Sequence, residues 1–296
     1  MSAVLAHLIC VALVAVDQLS KTVRMQWLAR GLGRRARFID MLTVNVTGDA
    51  ASALTPMRVG GEPTRVAGIM KAGLSVSDTI ALVTVEGTVE YVTVIAITAL
   101  MGWRYGGEWW RATRGTLVPA LRHALPWAAA IVLVGAGIWL VLRRFVPTIT
   151  IHVGGTLRDS LRNASRMPAW AIGITVPLTI IHILARVAVL PVLVSTIASP
   201  PPMGAVWLGS LALLYGQLLV PTPSGAGAVE LSFLNGAAGD IGPDATEMLI
   251  LWRFYTTLTG IFLGFAFGVP LYGAAARRWL LRRRLARRVL RGDSPP

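Results

Sequence analysis

The stretch "LTPMRVGGEPTR" at residues 54–65 interrupts an apolar run, and "VPTPSGAGAVE" at residues 220–230 interrupts another in nearly the same order of residues. Each has a Thr-Pro pair, then glycine, then a glutamate. Proline removes a backbone N–H donor and glycine permits unusual backbone angles, so both stretches break helices. Two similar breaks, each beside an acid, indicate that the chain is built from two related halves.

The composition indicates that these breaks lie in a membrane protein. The 296 residues are 54% apolar and 14% charged, whereas a soluble domain carries about 25% charged residues. Apolar runs of helical length recur. The first continues past Asp17, Lys21 and Arg24, so we interpret it as a span and not as a signal peptide. The sequence predicts an all-α polytopic protein of the inner (cytoplasmic) membrane.

The net charge of +14 is concentrated in short segments beside apolar runs, including eight arginines at 277–291. Basic residues in such places set orientation and contact anionic lipid, so nucleic acid is not an expected partner. The single cysteine, Cys10, excludes an internal disulfide and a cysteine-based metal cluster. The four histidines lack metal-ligand spacing, and we expect no metal and no cofactor.

The charged flanks predict five crossings and two hairpins, with the N-terminus outside and the C-terminus in the cytoplasm. The return arms of the hairpins are shorter than the roughly 20 residues that a span needs, so the hairpins are re-entrant or broken helices. The stretch 103–122, rich in tryptophan and arginine, is expected to lie flat at the interface. The predicted crossings are 3–28, 77–102, 126–142, 168–198 and 248–276, and the hairpins are 40–75 and 203–238.

The order of span, hairpin and span occurs twice, starting from opposite sides of the membrane. This predicts an inverted-repeat bundle, in which substrate binds between the repeats near the midplane. An offset of 167 residues takes Thr55 to Thr222 and also takes Glu86 to Arg253, so we predict an ion pair between the last two. The predicted organisation is one transmembrane domain over 1–276, with repeats at about 1–102 and 168–276, a linker helix region at 103–145 and a basic cytoplasmic tail at 277–296.

Charged residues inside apolar runs mark the candidate binding site. Arg186 has more than ten mostly apolar residues on either side, and His182 lies one turn before it on the same helix face. A charge in the hydrocarbon core costs about 2.5 to 3.5 kcal/mol on insertion scales. Arg186 therefore either neutralises a nearby glutamate or holds an anionic group, for which a planar guanidinium is well suited.

The two breaks supply the other candidates. Helix N-termini near the prolines offer free N–H groups and partial positive charge to an anion, while Glu62 and Glu230 balance cations or carry a proton. The candidate substrate-binding residues are Arg58, Glu62, Arg65, Glu86, His182, Arg186, Ser224, Glu230 and Arg253. The expected hinge residues are Pro56, Gly60, Gly61, Pro221, Pro223, Gly225 and Gly227.

Three stretches resemble the transmembrane domain of the lysylphosphatidylglycerol synthase/flippase family: "ALTPMRVGGEPTRVAGIMKAGLSVSDTIALVTVEGTVEYV", "PTPSGAGAVELSFL" and "LWRFYTTLTG". The resemblance implies roles for the prolines, the glycines, Glu62 and Arg65 of the first motif. It implies roles also for the prolines, the glycines and Glu230 of the second motif, and for Arg253. It departs at Gly87, where the family usually has arginine, so the headgroup preference does not carry over. The soluble synthase part is not in this sequence, and only translocation is implied.

We therefore expect a lipid flippase or lipid transporter that moves an anionic or phosphate-containing headgroup through a polar cleft. One alternative is a membrane-embedded lipid-modifying enzyme, with Glu230 or His182 as the available base, although we find no catalytic arrangement. Another is an accessory subunit that binds lipid or a lipid-synthesis enzyme. The expected partner is a membrane lipid, namely an anionic phospholipid, an aminoacylated lipid or a polyprenyl-linked lipid.

Overall fold

The computed structural model describes residues 1–145 and 153–268, with side chains over 1–115 and 159–268. In these residues the chain is helical, and extended pairing is limited to isolated bridges. The helices are α1 (Ala3–Gly31), α2 (Phe38–Leu54), α3 (Gly61–Lys71), α4 (Val76–Phe145), α5 (Val153–Ser165), α6 (Ala169–Val194), α7 (Met203–Gly216), α8 (Ala228–Leu234) and α9 (Ala245–Arg253). A π-helical turn, Phe254–Leu258, follows α9, and the helix continues to Gly268.

Four segments of the described chain are long and apolar enough to cross a membrane. They are Ala3–Gly31, Val76–Gly115, Ala169–Val194 and Gly242–Gly268. The all-α polytopic fold is thereby confirmed, and these segments overlap four of the predicted crossings. The orientation of the termini stays a prediction, and the basic tail at 277–296 lies outside the described residues.

The linker region differs from the prediction. Residues 77–102, 103–122 and 126–142 belong to one helix, Val76–Phe145, so the predicted reversal between the second and third crossings is wrong. Protein contacts, and not only the membrane interface, position this stretch of α4. Trp109 Nε1 donates a hydrogen bond to the Ala237 carbonyl at 2.9 Å, and the ring of Tyr105 lies where a Cβ on Gly204 would be.

The two broken-helix hairpins are present where the sequence predicts them. The first joins α2 to α3, and the second joins α7, through a 3₁₀ turn at Gln217–Leu219, to α8. The return helices have 11 and 7 residues, too few to cross a bilayer. Pro56 and Pro223 form an antiparallel bridge, so the two breaks meet.

Corresponding elements of the two halves make corresponding contacts. The first helices, α1 and α6, pack along one another, and α4 of the first half packs on α7 of the second hairpin. Reciprocally, the last helix packs on α2 of the first hairpin, where Gly264 adjoins Ala50 and Gly268 adjoins Thr47. A pseudo-twofold relation would produce this pattern, although the inverted repeat stays a prediction.

The contact at Gly264 depends on a missing side chain. A Cβ there would collide with Ala50 and lie 2.6 Å from the Val46 carbonyl oxygen. Small residues allow such close helix packing in membranes. We expect Gly264→Val to destabilise the protein by about 1 to 3 kcal/mol through overpacking. Thermal unfolding in detergent measures this, with Gly173→Val as the control because a Cβ at Gly173 meets open space; equal losses for the two variants would contradict the prediction.

Candidate functional site

A cavity of about 540 Å³ opens beside the first helix break. Its volume lies within the range of about 300 to 1,000 Å³ that is usual for ligand sites. The lining comes from α1, α2, α3, α4, α6 and α7. Of the nine substrate-binding candidates, the structure brings six to this lining: Arg58, Glu62, Arg65, Glu86, His182 and Arg186.

On one side of the cavity, Lys21 of α1 is almost fully buried between two aspartates. Its Nζ lies 3.0 Å from an oxygen of Asp17 and 2.8 Å from an oxygen of Asp49. Arg65 of α3 approaches the other oxygen of Asp49 at 3.1 Å. A Cβ on Gly48 would lie 2.6 Å from the Arg65 side chain, so glycine at this position makes room for the arginine. These ion pairs tie the first hairpin to α1.

Arg24 of α1 forms a second group of ion pairs. It is completely buried, with Nη2 at 2.5 Å from Glu86 and 2.9 Å from Glu90, both on α4. Its Nη1 donates to the hydroxyl of Thr179 on α6 at 3.0 Å. The predicted ion pair between Glu86 and Arg253 is therefore wrong, because Arg24 occupies the position beside Glu86.

The charged network around the cavity is electrically balanced when Glu62, whose side chain is 61% exposed, is included. Within the described part of the chain it contains as many cationic as acidic side chains, with His182 counted as neutral. The cations are Lys21, Arg24, Arg58, Arg65 and Arg186, and the acids are Asp17, Asp49, Glu62, Glu86 and Glu90. Because removal of either partner of a buried pair leaves an uncompensated charge, the paired members hold the helices together.

Two of the cations are not paired. Within the side chains that the structure describes, neither Arg58 nor Arg186 has a carboxylate oxygen within 4.0 Å. Arg186 Nη2 donates to the Thr256 carbonyl at 3.0 Å, and Arg58 Nη1 donates to Gln217 Oε1 at 3.4 Å. Both acceptors are neutral, so the positive charges of these two guanidinium groups remain available to an anion.

Both unpaired arginines lie where two cavities adjoin. Besides the open cavity, they line a smaller cavity of about 20 Å³ together with Asp17, Asp49 and the π-helical residue Thr257. Such a volume is sufficient for one water molecule. An anion held by Arg58 and Arg186 would thus lie where the open cavity meets the smaller one.

The backbone at Arg58 is strained. Its φ angle is +59°, and that of Met57 is +50°. With the same offset of 167 residues, these positions correspond to Ser224 and Gly225, where φ is +49° and +68°. A left-handed conformation costs a residue with a side chain roughly 1 to 2 kcal/mol. Arginine where the related break has glycine therefore indicates a functional requirement for its side chain.

The second break has its own ion pair, and the structure does not place it on the cavity lining. Arg253 Nη2 lies 2.6 Å from Glu230, and its Nη1 donates to the Ser224 carbonyl at 3.0 Å. The other oxygen of Glu230 accepts the Gly227 N–H at 2.7 Å. Ser224 Oγ donates to the Ala53 carbonyl of the first hairpin at 3.0 Å. These contacts fix the conformation of the break.

The expected hinge residues lie at the breaks, as their sequence positions require. Gly225 and Gly227 have φ angles of +68° and +87°, which favour glycine. A Cβ on Gly61 would collide with the Ser52 hydroxyl, so this glycine permits the tight connection from α2 to α3. Movement about these positions and about Pro221 stays a prediction.

Four members of the network were not predicted from the sequence: Asp17, Lys21, Arg24 and Asp49. Their spacing of four and three residues on a helix places the first three on one face, which was a usable signal. In the described part of the chain, no group of three or more potential metal ligands is arranged around one point.

Comparison with known proteins gives one match. A family model described as "Lysylphosphatidylglycerol synthase TM region" matches residues 1–264. The matched region contains both helix breaks and every member of the charged network. No curated protein and no solved structure matches the chain.

Proposed function

We propose, since the chain belongs to the lysylphosphatidylglycerol synthase transmembrane-region family, that it moves an anionic, phosphate-bearing lipid headgroup between the leaflets of a membrane. Family membership itself supports a membrane protein of lipid metabolism or transport. The acyl tails stay in the bilayer while the headgroup passes through the open cavity beside the first break.

The observation that carries the proposal is the pair of unpaired, partly buried arginines, Arg58 and Arg186. A phosphodiester has one negative charge and several acceptor oxygens, and a guanidinium group donates to two of them at once. The other cations of the network are paired with acids and contribute little free positive charge. Specific recognition of the headgroup therefore centres on these two side chains.

The contacts between the two halves support movement of the headgroup and not only its binding. The breaks at Pro56 and Pro223 meet, and each hairpin packs on the last helix of the other half. In transporters with inverted repeats, broken helices lie at the binding site and one repeat rocks against the other to alternate access. We infer the same plan here.

We propose further that the lipid leaves chemically unchanged. Of the two bases that sequence analysis considered, Glu230 is held by Arg253 and by the Gly227 N–H. His182 is buried between Asp17 and Glu90. Mass spectrometry of phosphatidylglycerol before and after incubation with the purified protein tests this statement, and a product of new mass would contradict it.

The decisive experiment measures leaflet exchange in proteoliposomes. With fluorescent phosphatidylglycerol and dithionite quenching, we expect Arg186→Gln to slow exchange by about tenfold or more. The reason is that a hydrogen bond to a charged group contributes roughly 1.5 to 3 kcal/mol. Arg186→Lys keeps the charge but not the planar fork, so its rate should be intermediate.

A matched control is Arg30→Gln. Arg30 is an exposed arginine near the end of α1 whose guanidinium lies 4.6 Å from the centre of the Trp27 ring. This variant should exchange lipid at the wild-type rate. Wild-type exchange by a folded Arg186→Gln protein would refute the proposed function.

A further inference from the structure

His182 on α6 lies between the open cavity and the smaller one. It is almost fully buried, and its Nδ1 lies 3.2 Å from Oδ1 of Asp17, which lines the smaller cavity. Its Nε2 lies 3.9 Å from Oε2 of Glu90, which lines the open cavity. Nε2 has no hydrogen-bond partner among the described residues. A buried ring nitrogen without a partner, facing a carboxylate, requires an explanation.

The hydrogen bond to Asp17 fixes the tautomer of a neutral His182 ring. An ionised carboxylate only accepts hydrogen bonds, so Nδ1 must carry the proton and donate it. Nε2 then presents a lone pair to the Glu90 carboxylate, and this contact is unfavourable. One additional proton on Nε2 would turn it into an attractive ion pair.

The charged and titratable groups of the two cavities and of the ion pairs beside His182 come from each packed element, and their formal charges cancel. They are Asp17, Lys21 and Arg24 of α1, Asp49 of α2, Arg58 at the first break, Glu62 and Arg65 of α3, Glu86 and Glu90 of α4, Arg186 of α6, Tyr215 of α7 and Tyr255 of the π-helical turn. An anion bound at Arg58 and Arg186 would therefore give the network a net negative charge. Next to the buried ring of His182, that excess favours the gain of a proton.

We propose that binding of the anionic group at Arg58 and Arg186 is accompanied by the uptake of one proton on Nε2 of His182. This inference rests on the proposed function. The proton comes from water in the open cavity by way of Glu90, and it returns to water when the anion leaves. The ring is neutral without the anion and is an imidazolium between Asp17 and Glu90 with it.

His182 is well placed for this coupling. It lies one helical turn from Arg186, so the bound anion and the added proton are close in space. Linkage between two sites is reciprocal, so protonation of His182 strengthens anion binding by the same factor by which the anion favours protonation. A pH difference across the membrane would then drive the headgroup in one direction.

Nitrogen NMR of the histidine ring tests the proposal in the intact protein. We would label histidine with ¹⁵N and compare vesicles of pure phosphatidylcholine with vesicles of phosphatidylcholine and phosphatidylglycerol at 3:1, both at neutral pH. The signals of His182 are those that disappear in His182→Gln. We expect an unprotonated Nε2 signal in pure phosphatidylcholine and its loss when phosphatidylglycerol is present.

The double variant Arg58→Gln/Arg186→Gln separates this effect from the acidity of an anionic membrane surface. It should keep the unprotonated Nε2 signal in both kinds of vesicle. Loss of the signal in this variant too would overturn the inference.

Leaflet exchange of labelled phosphatidylglycerol is measured on the same vesicles. If the lipid exchanges while the ring stays neutral, the inference fails and the proposed function stands. If exchange is absent and the ring stays neutral, both fail.

Discussion

Replacement of Arg24 by methionine should destabilise the protein by about 3 to 5 kcal/mol, the usual result of removing one partner from a buried ion pair. Arg24 is completely buried and contacts Glu86, Glu90 and the Thr179 hydroxyl. Without it, two carboxylates one turn apart on α4 face each other and the nearest remaining cation is Arg65, whose Nη1 lies 4.0 Å from Glu86. The contacts of α1 with α4 and α6 weaken together.

Unfolding in mixed detergent micelles measures this loss. The matched control is Arg37→Met, which also removes an arginine from an ion pair, but Arg37 is exposed and its partner Asp40 is only three residues away. Exposed ion pairs contribute little to stability, so the unfolding midpoint of Arg37→Met should equal that of the wild type. The double variant Arg24→Met/Glu86→Gln should recover part of the stability. Equal midpoints for Arg24→Met and wild type would show that the Arg24 ion pairs do not stabilise the fold.

The sequence was sufficient to locate the main features of the fold. Proline and glycine predict helix breaks directly, because they remove a donor or tolerate positive φ, and both breaks lie where they were expected. The continuity of α4 was not predicted, because tryptophan and arginine at 103–122 resemble an interfacial segment. Tertiary contacts stabilise the continuous helix at 103–122, because Trp109 and Tyr105 pack against the second hairpin and its return loop.

The ion pairs within the site were harder to predict than the residues that belong to it. An apolar run identified Arg186, the first break identified Arg58 and Arg65, and the repeat offset identified Glu86. None of these signals says which acid meets which base. The offset between the halves predicted that corresponding positions touch. An inverted repeat, which stays a prediction, would bring corresponding residues together only near its axis. Pro56 does meet Pro223, but Glu86 pairs with Arg24 instead of Arg253.

Arg58→Gly should retain the stability of the protein while it reduces leaflet exchange by roughly 10- to 100-fold, since an arginine bond to a phosphate contributes about 1.5 to 3 kcal/mol. Most losses of a buried side chain lower stability and activity together. Here the substitution relieves a left-handed backbone at φ +59° and removes a partly buried cation that has no described acid partner within 4.0 Å. The backbone strain relieved in the folded protein offsets the conformational entropy that glycine adds to the unfolded chain.

Met57→Gly is the matched control for that variant. Met57 has φ +50°, lies next to Arg58 at the same break and lines the same cavity, but its side chain has no charge to offer a phosphate. Both variants should therefore unfold at or near the wild-type midpoint, and only Arg58→Gly should lose exchange. If both lost it equally, the conformation of the break would determine transport, and the guanidinium of Arg58 would not be the group that holds the headgroup.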